Sequence, residues 1–217
     1  MMDMSKIRII DNPVINLNLC TMRNKNTDSQ GVRIATRKIT RCLLYEASKN
    51  LPIVEQDITT PLTTFSAKTI DPDIEIIISP ILRAGLIFTD EAIDILPQAT
   101  IRHLGMYRDE KTLRPIWYYN KVPMEALHPE KFYVYITDPM LATGNSLLAA
   151  IELYVNKGIP MKNIKCLCII AAPEGIENIQ HHYPEIEIIT AALDDHLNDK
   201  GYIVPGMGDA GDRIFNT

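Results

Sequence analysis

Short apolar segments alternate with helical segments from residue 74 onward, and this alternation constrains the fold more than any other feature of the chain. Within the apolar segments, polarity does not change regularly from one residue to the next. Strands of this kind are typical of a parallel sheet that helices cover on both faces. The sequence therefore predicts an α/β fold, with a Rossmann-like parallel sheet flanked by helices.

The predicted strands cover residues 74–79, 100–107, 115–122, 133–137, 164–172 and 186–190. The predicted helices cover residues 28–51, 86–96, 146–157 and 174–182. Residues 115–122 are expected to form an antiparallel hairpin excursion, and residues 54–69, which are rich in threonine and interrupted by Pro61, an irregular β arm. Asp28 or Ser29 is expected to cap the first helix. We predict one domain over residues 1–217, with a helix and β arm to about residue 70, a core over 71–200 and a glycine-rich terminal loop over 201–217.

The composition is that of a globular protein, since 46% of the 217 residues are hydrophobic and 23% are charged. No run of about 18 uncharged apolar residues exists, so no membrane span is expected. The first residues form a stretch too short and too charged for a signal peptide. The four cysteines (Cys20, Cys42, Cys166 and Cys168) contain no C-x-x-C pair and are expected to be reduced thiols of a cytoplasmic protein. A net charge of −5 argues against a nucleic-acid partner and leaves a small anionic ligand open.

One segment carries the strongest indication of function: a predicted strand ends in Asp138, a short loop follows, and then a helix begins. The loop consists of Pro139, Met140, Leu141, Ala142, Thr143, Gly144, Asn145 and Ser146. At the carboxyl end of a parallel strand, an acid can bind ribose hydroxyls, while loop amides and a helix N-terminus can bind a phosphate. Asn145 tolerates a left-handed conformation, and Ser146 is a good helix cap. No lysine follows Gly144, so a loop that hydrolyses nucleoside triphosphates is not expected. The alternative is an ordinary turn before a capped helix.

Two further segments contain arginines that suit an anionic group. Arg83 lies in the small apolar sequence 79–85 after a predicted strand, where its guanidinium could bind a second anion or simply face solvent. Residues 105–115 are a charged excursion that contains Arg108, Lys111 and Arg114. Such an excursion is either a solvated hairpin or a mobile lid over a site.

The glycines of the tail formally match G-x-G-x-x-G at Gly206, Gly208 and Gly211. A dinucleotide-binding fold needs this turn to open a helix within a βαβ unit, and only six residues follow Gly211, so the match is excluded. A glycine-rich loop instead exposes backbone N–H and C=O groups, which can read the edge of a planar base. The five histidines show no metal-ligand spacing.

Taken together, these segments resemble the uracil phosphoribosyltransferases over essentially the whole chain. Residues 138–146 are similar to the family's signature for phosphoribosyl diphosphate (PRPP), including an Asp-Pro pair where other phosphoribosyltransferases have two acids. Residues 80–85 are similar to its diphosphate loop, and residues 105–108 to the start of its flexible loop. Residues 201–215 match its uracil-binding loop, and residues 171–175 are a further family segment.

The resemblance implies the type I phosphoribosyltransferase fold and transfer of ribose 5-phosphate from PRPP to uracil, which gives UMP and diphosphate. It implies that Asp138 binds the ribose hydroxyls, that Ala142 to Ser146 bind the 5′-phosphate within a PRPP segment that includes Pro139, Met140 and Leu141, and that Arg83 and Arg108 bind the diphosphate. Ile203, Gly208, Asp209 and Ala210 are implied to read uracil, and Asp209 also to face PRPP. Because the Asp-Pro pair lacks the second acid, Mg²⁺ is expected to arrive with PRPP rather than in a protein metal site.

The resemblance also implies a homodimer or higher homo-oligomer, and it raises GTP as an allosteric effector. A PRPP- or UMP-sensing RNA-binding regulator on the same fold is the main alternative. The chain lacks a basic stripe with interleaved aromatic residues, which disfavours that alternative. An inactive homologue and a purine transferase are the remaining ones, and substrate turnover separates both.

Overall fold

The computed structural model describes residues 2–108, 115–120, 122 and 128–217, and the side chains of Arg108 and Pro115 are outside this description. The α-helices are α1 (Pro13–Arg23), α2 (Ser29–Ser48), α3 (Thr89–Ile95), α4 (Asn145–Val155), α5 (Pro173–His182) and α6 (Ala210–Phe215). The strands are β1 (Ile7–Ile9), β2 (Ile53–Thr59), β3 (Thr64–Ile70), β4 (Glu75–Leu82), β5 (Thr100–Ile101), β6 (Leu104–Arg108), β7 (Pro115–Asn120), β8 (Phe132–Thr137), β9 (Met140–Leu141), β10 (Ile164–Ala171), β11 (Glu187–Leu193), β12 (His196–Leu197) and β13 (Ile203–Val204). Short 3-10 helices cover Met4–Lys6, Ala84–Phe88, Pro129–Lys131 and Met161–Asn163.

The large sheet has the strand order β1, β11, β10, β8, β4, β6, β7, with β5 paired to β4 and β9 to β10. Its strand pairs are parallel, apart from the antiparallel pair β6–β7. From β4 the chain continues to β6 on one side of the sheet, whereas from β8 it continues to β10 and β11 on the other side. In an open α/β sheet, the carboxyl ends of the strands at such a reversal form the crevice where ligands bind.

Helices cover both faces of this sheet, which explains why the strands are apolar throughout. On one face, Val32, Ile39 and Leu43 of α2 are fully buried in a core that α1, α3 and α6 share. On the other face, α4 and α5 bury residues such as Ile151 and Ile176. All residues of β10 are buried, because its side chains enter both cores, mostly in alternation. The prediction of a parallel α/β sheet flanked by helices is confirmed.

The predicted helix 28–51 is α2, and its cap is Asp28, whose carboxylate accepts a hydrogen bond from the Gly31 amide at 2.7 Å. The β arm is regular rather than irregular, because β2 and β3 pair without a bulge from Ile53 and Ile70 to Thr59 and Thr64. Pro61 lies in the connecting turn, where the N–H group that proline lacks is not needed by the ladder. The predicted strand 100–107 is divided into β5 and β6, which both pair with β4.

Several elements, among them β1, α1, β13 and α6, were not expected from the pattern of apolar residues. Strand β1 pairs with β11 at the sheet edge, and α1 begins at Pro13 after an Asn12 cap that accepts from the Val14 amide at 2.8 Å. The tail, predicted to be an irregular loop, contains β13 and α6. These elements are too short or too polar on one side to show a clear periodicity. No helix of the described residues is long and apolar enough to cross a membrane.

Candidate active site

The residues after β8 and the C-terminal tail enclose a cavity of about 260 Å³. Its lining consists of Ala84, Asp138, Met140, Ala142, Gly201, Tyr202, Ile203, Gly208, Asp209, Ala210 and Gly211. The structure therefore brings Asp138 into the same cavity as the tail residues Ile203, Gly208, Asp209 and Ala210, which lie far away in sequence.

A smaller cavity of about 100 Å³ lies beside the first one. Asp138 and residues 140–147 line it, and they include the predicted loop residues Leu141, Thr143, Gly144, Asn145 and Ser146. Asp138, Met140 and Ala142 belong to both cavities. Pro139 lines neither of them: it is buried, and its carbonyl accepts hydrogen bonds from the amides of Ile169 and Ile170 in β10.

The loop reaches α4 through Gly144, which has a left-handed backbone with φ +79° and is the helix N-cap. A Cβ at this position would lie 2.7 Å from the Gly175 carbonyl oxygen, so a larger side chain has no space there. The sequence assigned the cap to Ser146 and left-handed tolerance to Asn145, and both are instead inside the first turn of α4. This correction follows from the close approach of α5, since only glycine can combine that backbone with that contact.

The first turns of α5 pack directly against the loop before α4. A Cβ at Gly175 would lie 2.3 Å from the Ala142 carbonyl oxygen, which means that helix and loop are in backbone contact. One turn later, the Asn178 side-chain amide donates to the Thr143 carbonyl at 2.8 Å and to the Asn145 side chain at 3.0 Å. Sequence reasoning missed Asn178. Asn178 follows Gly175 by three residues in α5, and this spacing was the one signal that could have placed both residues on the same face of the helix.

Asp138 is partly buried at the carboxyl end of β8 and accepts a hydrogen bond from the Met140 amide at 3.3 Å. Burial raises the pKa of Asp138 to about 7, and the Met140 hydrogen bond opposes this rise. Hydroxyl groups that donate to a carboxylate favour its charged form. Near neutral pH, a ligand that donates hydrogen bonds to Asp138 would therefore favour the charged form of its carboxylate.

Arg83 lies next to two residues of the larger cavity lining, Ala84 and Gly211. Its guanidinium is exposed and lies 3.7 Å from the Asp212 carboxylate in α6. The turn that carries Arg83 packs closely on β8, because a Cβ at Gly85 would lie 2.7 Å from the Thr137 carbonyl oxygen. The backbone of Arg108 ends β6, and its side chain lies outside the described residues. Residues 109–114 of the excursion predicted over 105–115 also lie outside them.

The tail presents exposed and buried groups in turn: Ile203 and Ala210 are buried, whereas Gly208 and Asp209 are exposed. Asp209 caps α6 by accepting from the Asp212 amide at 2.9 Å. Gly208 lines the larger cavity with a left-handed backbone, φ +82°, and it has no side chain to cover its peptide groups.

Arg213 fixes the tail to the N-terminal part of the chain. It donates to the carbonyls of Met22 at 2.6 Å, Met207 at 3.0 Å and Asn24 at 2.7 Å. All three acceptors are backbone atoms, which leave no trace in the pattern of side chains. Arg213 was therefore missed by sequence reasoning, as were Arg23 and Asp194, which also bind the tail.

Within the part of the chain that the structure describes, no group of three or more His, Cys, Asp and Glu side chains could hold a metal ion. Cys166 and Cys168 are free, buried thiols, and burial raises the pKa of Cys168 to about 12. Thiols of this kind are unreactive and belong to the core.

The profile of the uracil phosphoribosyltransferase family matches residues 9–217. The chain belongs to this family. It is 46% identical over 209 residues to the uracil phosphoribosyltransferase of Dictyoglomus thermophilum, and the aligned residues cover 96% of this chain and 98% of that protein. It is 42% identical over 214 residues to the uracil phosphoribosyltransferase of Lactiplantibacillus plantarum, which covers 99% of this chain and all of the other. The family predicted from the sequence is confirmed.

Solved structures support the same fold. The AQ2163 protein from Aquifex aeolicus superposes with a TM-score of 0.86 at 36% identity and covers 96% of this chain and 97% of its own. An adenine phosphoribosyltransferase from Trypanosoma brucei superposes with a TM-score of 0.56 at 13% identity, over 96% of this chain and 91% of its own. At that identity the likeness concerns the fold alone, and it confirms the type I phosphoribosyltransferase architecture.

Proposed function

We propose that this protein, acting as a single domain over residues 1–217, transfers the 5-phosphoribosyl group from PRPP to uracil and releases UMP and diphosphate. The observation that carries this proposal is the shared cavity of Asp138 and the tail around Asp209, next to the smaller cavity of the loop before α4. A ribose bound at Asp138 would have its 5′-phosphate on one side and a base on the other.

The donor site is built for a sugar phosphate. The Asp138 carboxylate can accept hydrogen bonds from the ribose 2′ and 3′ hydroxyls, and the backbone amides of residues 142–146 can donate to the 5′-phosphate. The N-terminus of α4, an 11-residue helix, adds the positive end of its dipole. Its Gly144 cap leaves the amides open to a ligand, because no side chain occupies that position.

The acceptor site reads uracil with backbone groups at Ile203, Gly208, Asp209 and Ala210. Uracil presents two carbonyls and an N3–H between them, a pattern that peptide N–H and C=O groups can complement. Cytosine has an amino group in place of one carbonyl, so a backbone donor would face another donor. Leaving both unpaired in a closed site costs about 1–3 kcal/mol for each group, which provides selectivity.

In the reaction, the bond from the anomeric carbon to the diphosphate breaks, and a bond to uracil N1 forms. The N1 proton of the base passes to the departing diphosphate or to water. The sugar carries positive charge in the transition state, so fixed donors on the departing diphosphate lower the barrier. We assign Arg83 and Arg108 to the diphosphate. Arg83 can leave Asp212 at low cost, because an ion pair in which both side chains are more than half exposed contributes about 0–1 kcal/mol.

Mg²⁺ fits this site as a partner of PRPP rather than as a resident ion. The carboxylates of the larger cavity are Asp138 and Asp209, and Mg²⁺ favours oxygen ligands that include phosphates and water. Bound with PRPP, it would neutralise part of the diphosphate charge. Asp209 is exposed and can accept from a ligand while it caps α6.

A UMP-formation assay with uracil, PRPP and Mg²⁺ tests the proposal, and hypoxanthine and adenine serve as control bases. We expect uracil to be consumed and both purines to be left unchanged. Tight, salt-sensitive RNA binding without UMP formation would contradict the proposal and would favour the regulator.

The remaining family expectations enter as proposals with their own measurements. We propose a homo-oligomer in the cytoplasm, consistent with four free cysteines and with exposed apolar side chains on the β2–β3 hairpin, among them Leu62 and Phe65. Sedimentation measures the oligomeric state. Repeating the UMP assay with added GTP measures whether GTP is an effector.

A further inference from the structure

We propose that Arg23 and Asp194 are positioning residues that hold the base loop, residues 203–210, in the conformation that reads uracil. The proposal rests on the proposed function, since it gives a role in base recognition to two residues that do not line the cavity. They act through Gly206, in the middle of the loop.

Arg23 and Asp194 form a two-pronged ion pair between the end of α1 and the residue after β11. The Arg23 Nη1 donates to Asp194 Oδ2 at 2.7 Å, and Nη2 donates to Oδ1 at 2.6 Å. The Asp194 side chain is 5% exposed and that of Arg23 is 23% exposed. Planar, parallel hydrogen bonds of this kind define direction as well as distance.

The same ion pair binds both backbone groups of Gly206. Arg23 Nη1 donates to the Gly206 carbonyl at 2.8 Å, and the Gly206 amide donates to Asp194 Oδ2 at 2.8 Å. The peptide groups of one loop residue are therefore fixed by a cation and an anion that also fix each other.

Gly206 needs this support because the loop turns sharply at that point. Its backbone is left-handed with φ +56°, and a Cβ there would lie 2.1 Å from the Ile203 carbonyl oxygen. Ile203 and Gly208, on the two sides of Gly206, both line the cavity. A change in the orientation of Gly206 would consequently move the groups that face the base.

Each half of the ion pair is anchored in a rigid element. The Asp194 amide donates to the Ala171 carbonyl at the end of β10, at 2.8 Å, and the Asp195 amide donates to the Val204 carbonyl at 3.0 Å. Arg23 is the last residue of α1, which packs on α2. The ion pair thus attaches the base loop to the sheet through Asp194 and to the N-terminal helices through Arg23.

Recognition by backbone groups requires accurate placement, because hydrogen bonds weaken steeply when they are misaligned. A displacement of about 1 Å at a binding group can reduce a rate on the order of 100-fold. We therefore expect loss of the ion pair to lower kcat/KM for uracil by about 100-fold. The KM for PRPP is expected to change less than kcat/KM for uracil, since among the residues assigned to PRPP only Asp209 lies in the base loop.

The experiment compares Arg23→Met, Arg23→Lys and Asp194→Asn with the control Arg8→Met. Arg8 forms an ion pair of similar length with Glu46 and Glu187 at the sheet edge, outside both cavities. Arg23→Lys retains the charge without the fork, so an intermediate effect on uracil is expected from it. Asp194→Asn retains the shape but offers one acceptor where Gly206 and Arg23 need several.

Two readouts are recorded for every variant. The first is steady-state kinetics for uracil and PRPP separately, together with thermal unfolding. The second is hydrogen exchange of residues 203–210, which reports loop order whatever substrate the enzyme uses. We expect the uracil kcat/KM to fall and loop protection to be lost in the Arg23 and Asp194 variants, with Arg8→Met unchanged in both.

Unchanged uracil kinetics, or equal losses for uracil and PRPP that follow the loss of thermal stability, would overturn the positioning role. Unchanged protection of the loop in Arg23→Met would overturn it independently of catalysis. A wild-type protein that forms no UMP refutes the proposed function instead, and the exchange measurement still decides whether the ion pair orders the loop. A further variant, Arg23→Ala, leaves space for a guanidinium ion, and added guanidinium should partly restore its use of uracil, an effect that a general loss of stability does not produce. Absence of any such rescue would count against the positioning role of the Arg23 guanidinium.

Discussion

Replacing Gly175 by alanine should damage PRPP use through a displacement that the structure allows to be measured in advance. The added Cβ would lie 2.3 Å from the Ala142 carbonyl oxygen and 2.8 Å from Leu141 Cδ1. Contacts of Cβ below 3.0 Å are essentially not found, so α5 and the loop must separate by at least about 0.7 Å, the difference between 3.0 Å and 2.3 Å. The loop that must move is the one proposed to bind the 5′-phosphate.

The free energy of unfolding should change little while the kinetics change considerably. Overpacking costs about 1–3 kcal/mol, but alanine in a helix is about 1 kcal/mol more favourable than glycine. The two effects oppose each other, which leaves a net loss of about 0–2 kcal/mol. A loop displaced by most of an ångström should lower kcat/KM for PRPP on the order of 10- to 100-fold.

Gly31→Ala is the matched control. Gly31 is also a glycine in the first turns of a helix, and its Cβ would meet only side-chain atoms, Thr27 Cγ2 at 2.7 Å and Asp28 Oδ1 at 3.1 Å. Initial rates at varied PRPP and saturating uracil, with thermal unfolding of both variants, form the assay. If Gly175→Ala retains the wild-type kcat/KM for PRPP, the close contact between α5 and the loop has no bearing on the donor site, and the reasoning is refuted.

Three further predictions concern the charged groups of the site. Burial raises the pKa of Asp138 from 3.8 to about 7 in the folded chain, so the stability that its protonated form contributes is present below pH 3.8 and is lost as the pH rises through 7. Asp138→Asn should therefore raise Tm relative to wild type at about pH 8 but not at about pH 4, while the use of PRPP falls. The same Tm difference at both pH values would contradict this prediction. Asp209→Ala should abolish UMP formation and also remove the α6 cap, which lowers the free energy of unfolding by about 1 kcal/mol, whereas Asp209→Ser should retain the cap and still be inactive. UMP assays and thermal unfolding separate the two roles, and an active serine variant would reject Asp209 as a ligand-binding group. Arg83→Ala should raise the KM for PRPP about 10-fold or more with no loss of stability, because its ion pair with Asp212 is exposed, and unaltered PRPP kinetics would exclude Arg83 as a diphosphate ligand.

The sheet could be predicted because the residue types of its central strands show directly that both faces are buried. β4, β8 and β10 are apolar at nearly every position, and only a sheet with helices on both faces buries such strands completely. β1 and α6 could not be predicted in the same way. They comprise three and six residues, and their stability comes from tertiary contacts, such as burial of Ile214, rather than from a local pattern.

The candidate site was predictable in parts and not as an assembly. Asp138 and Gly144 are marked by their position between a strand and a helix, but nothing in the chain indicates that the tail around Asp209 closes over them; the resemblance supplied that contact. The supporting residues Asn178 and Arg213 are less visible still. They bind backbone carbonyls, and a carbonyl places no constraint on the identity of the residue that carries it.

The two halves of the site meet at the first turns of α5, which relates donor and acceptor geometry to one rigid element. Gly175 and Asn178 contact the loop before α4, whereas the neighbouring Glu174 accepts a hydrogen bond from the Leu197 amide at 2.8 Å, in the hairpin that carries the base loop. Transfer between two bound substrates requires the base nitrogen to lie in line with the bond that breaks, so the distance between the two loops matters as much as the shape of either. Helix α5 contacts the loop before α4 directly and the base loop through the β12–β13 hairpin, so one helix relates the positions of the two ligand-binding loops.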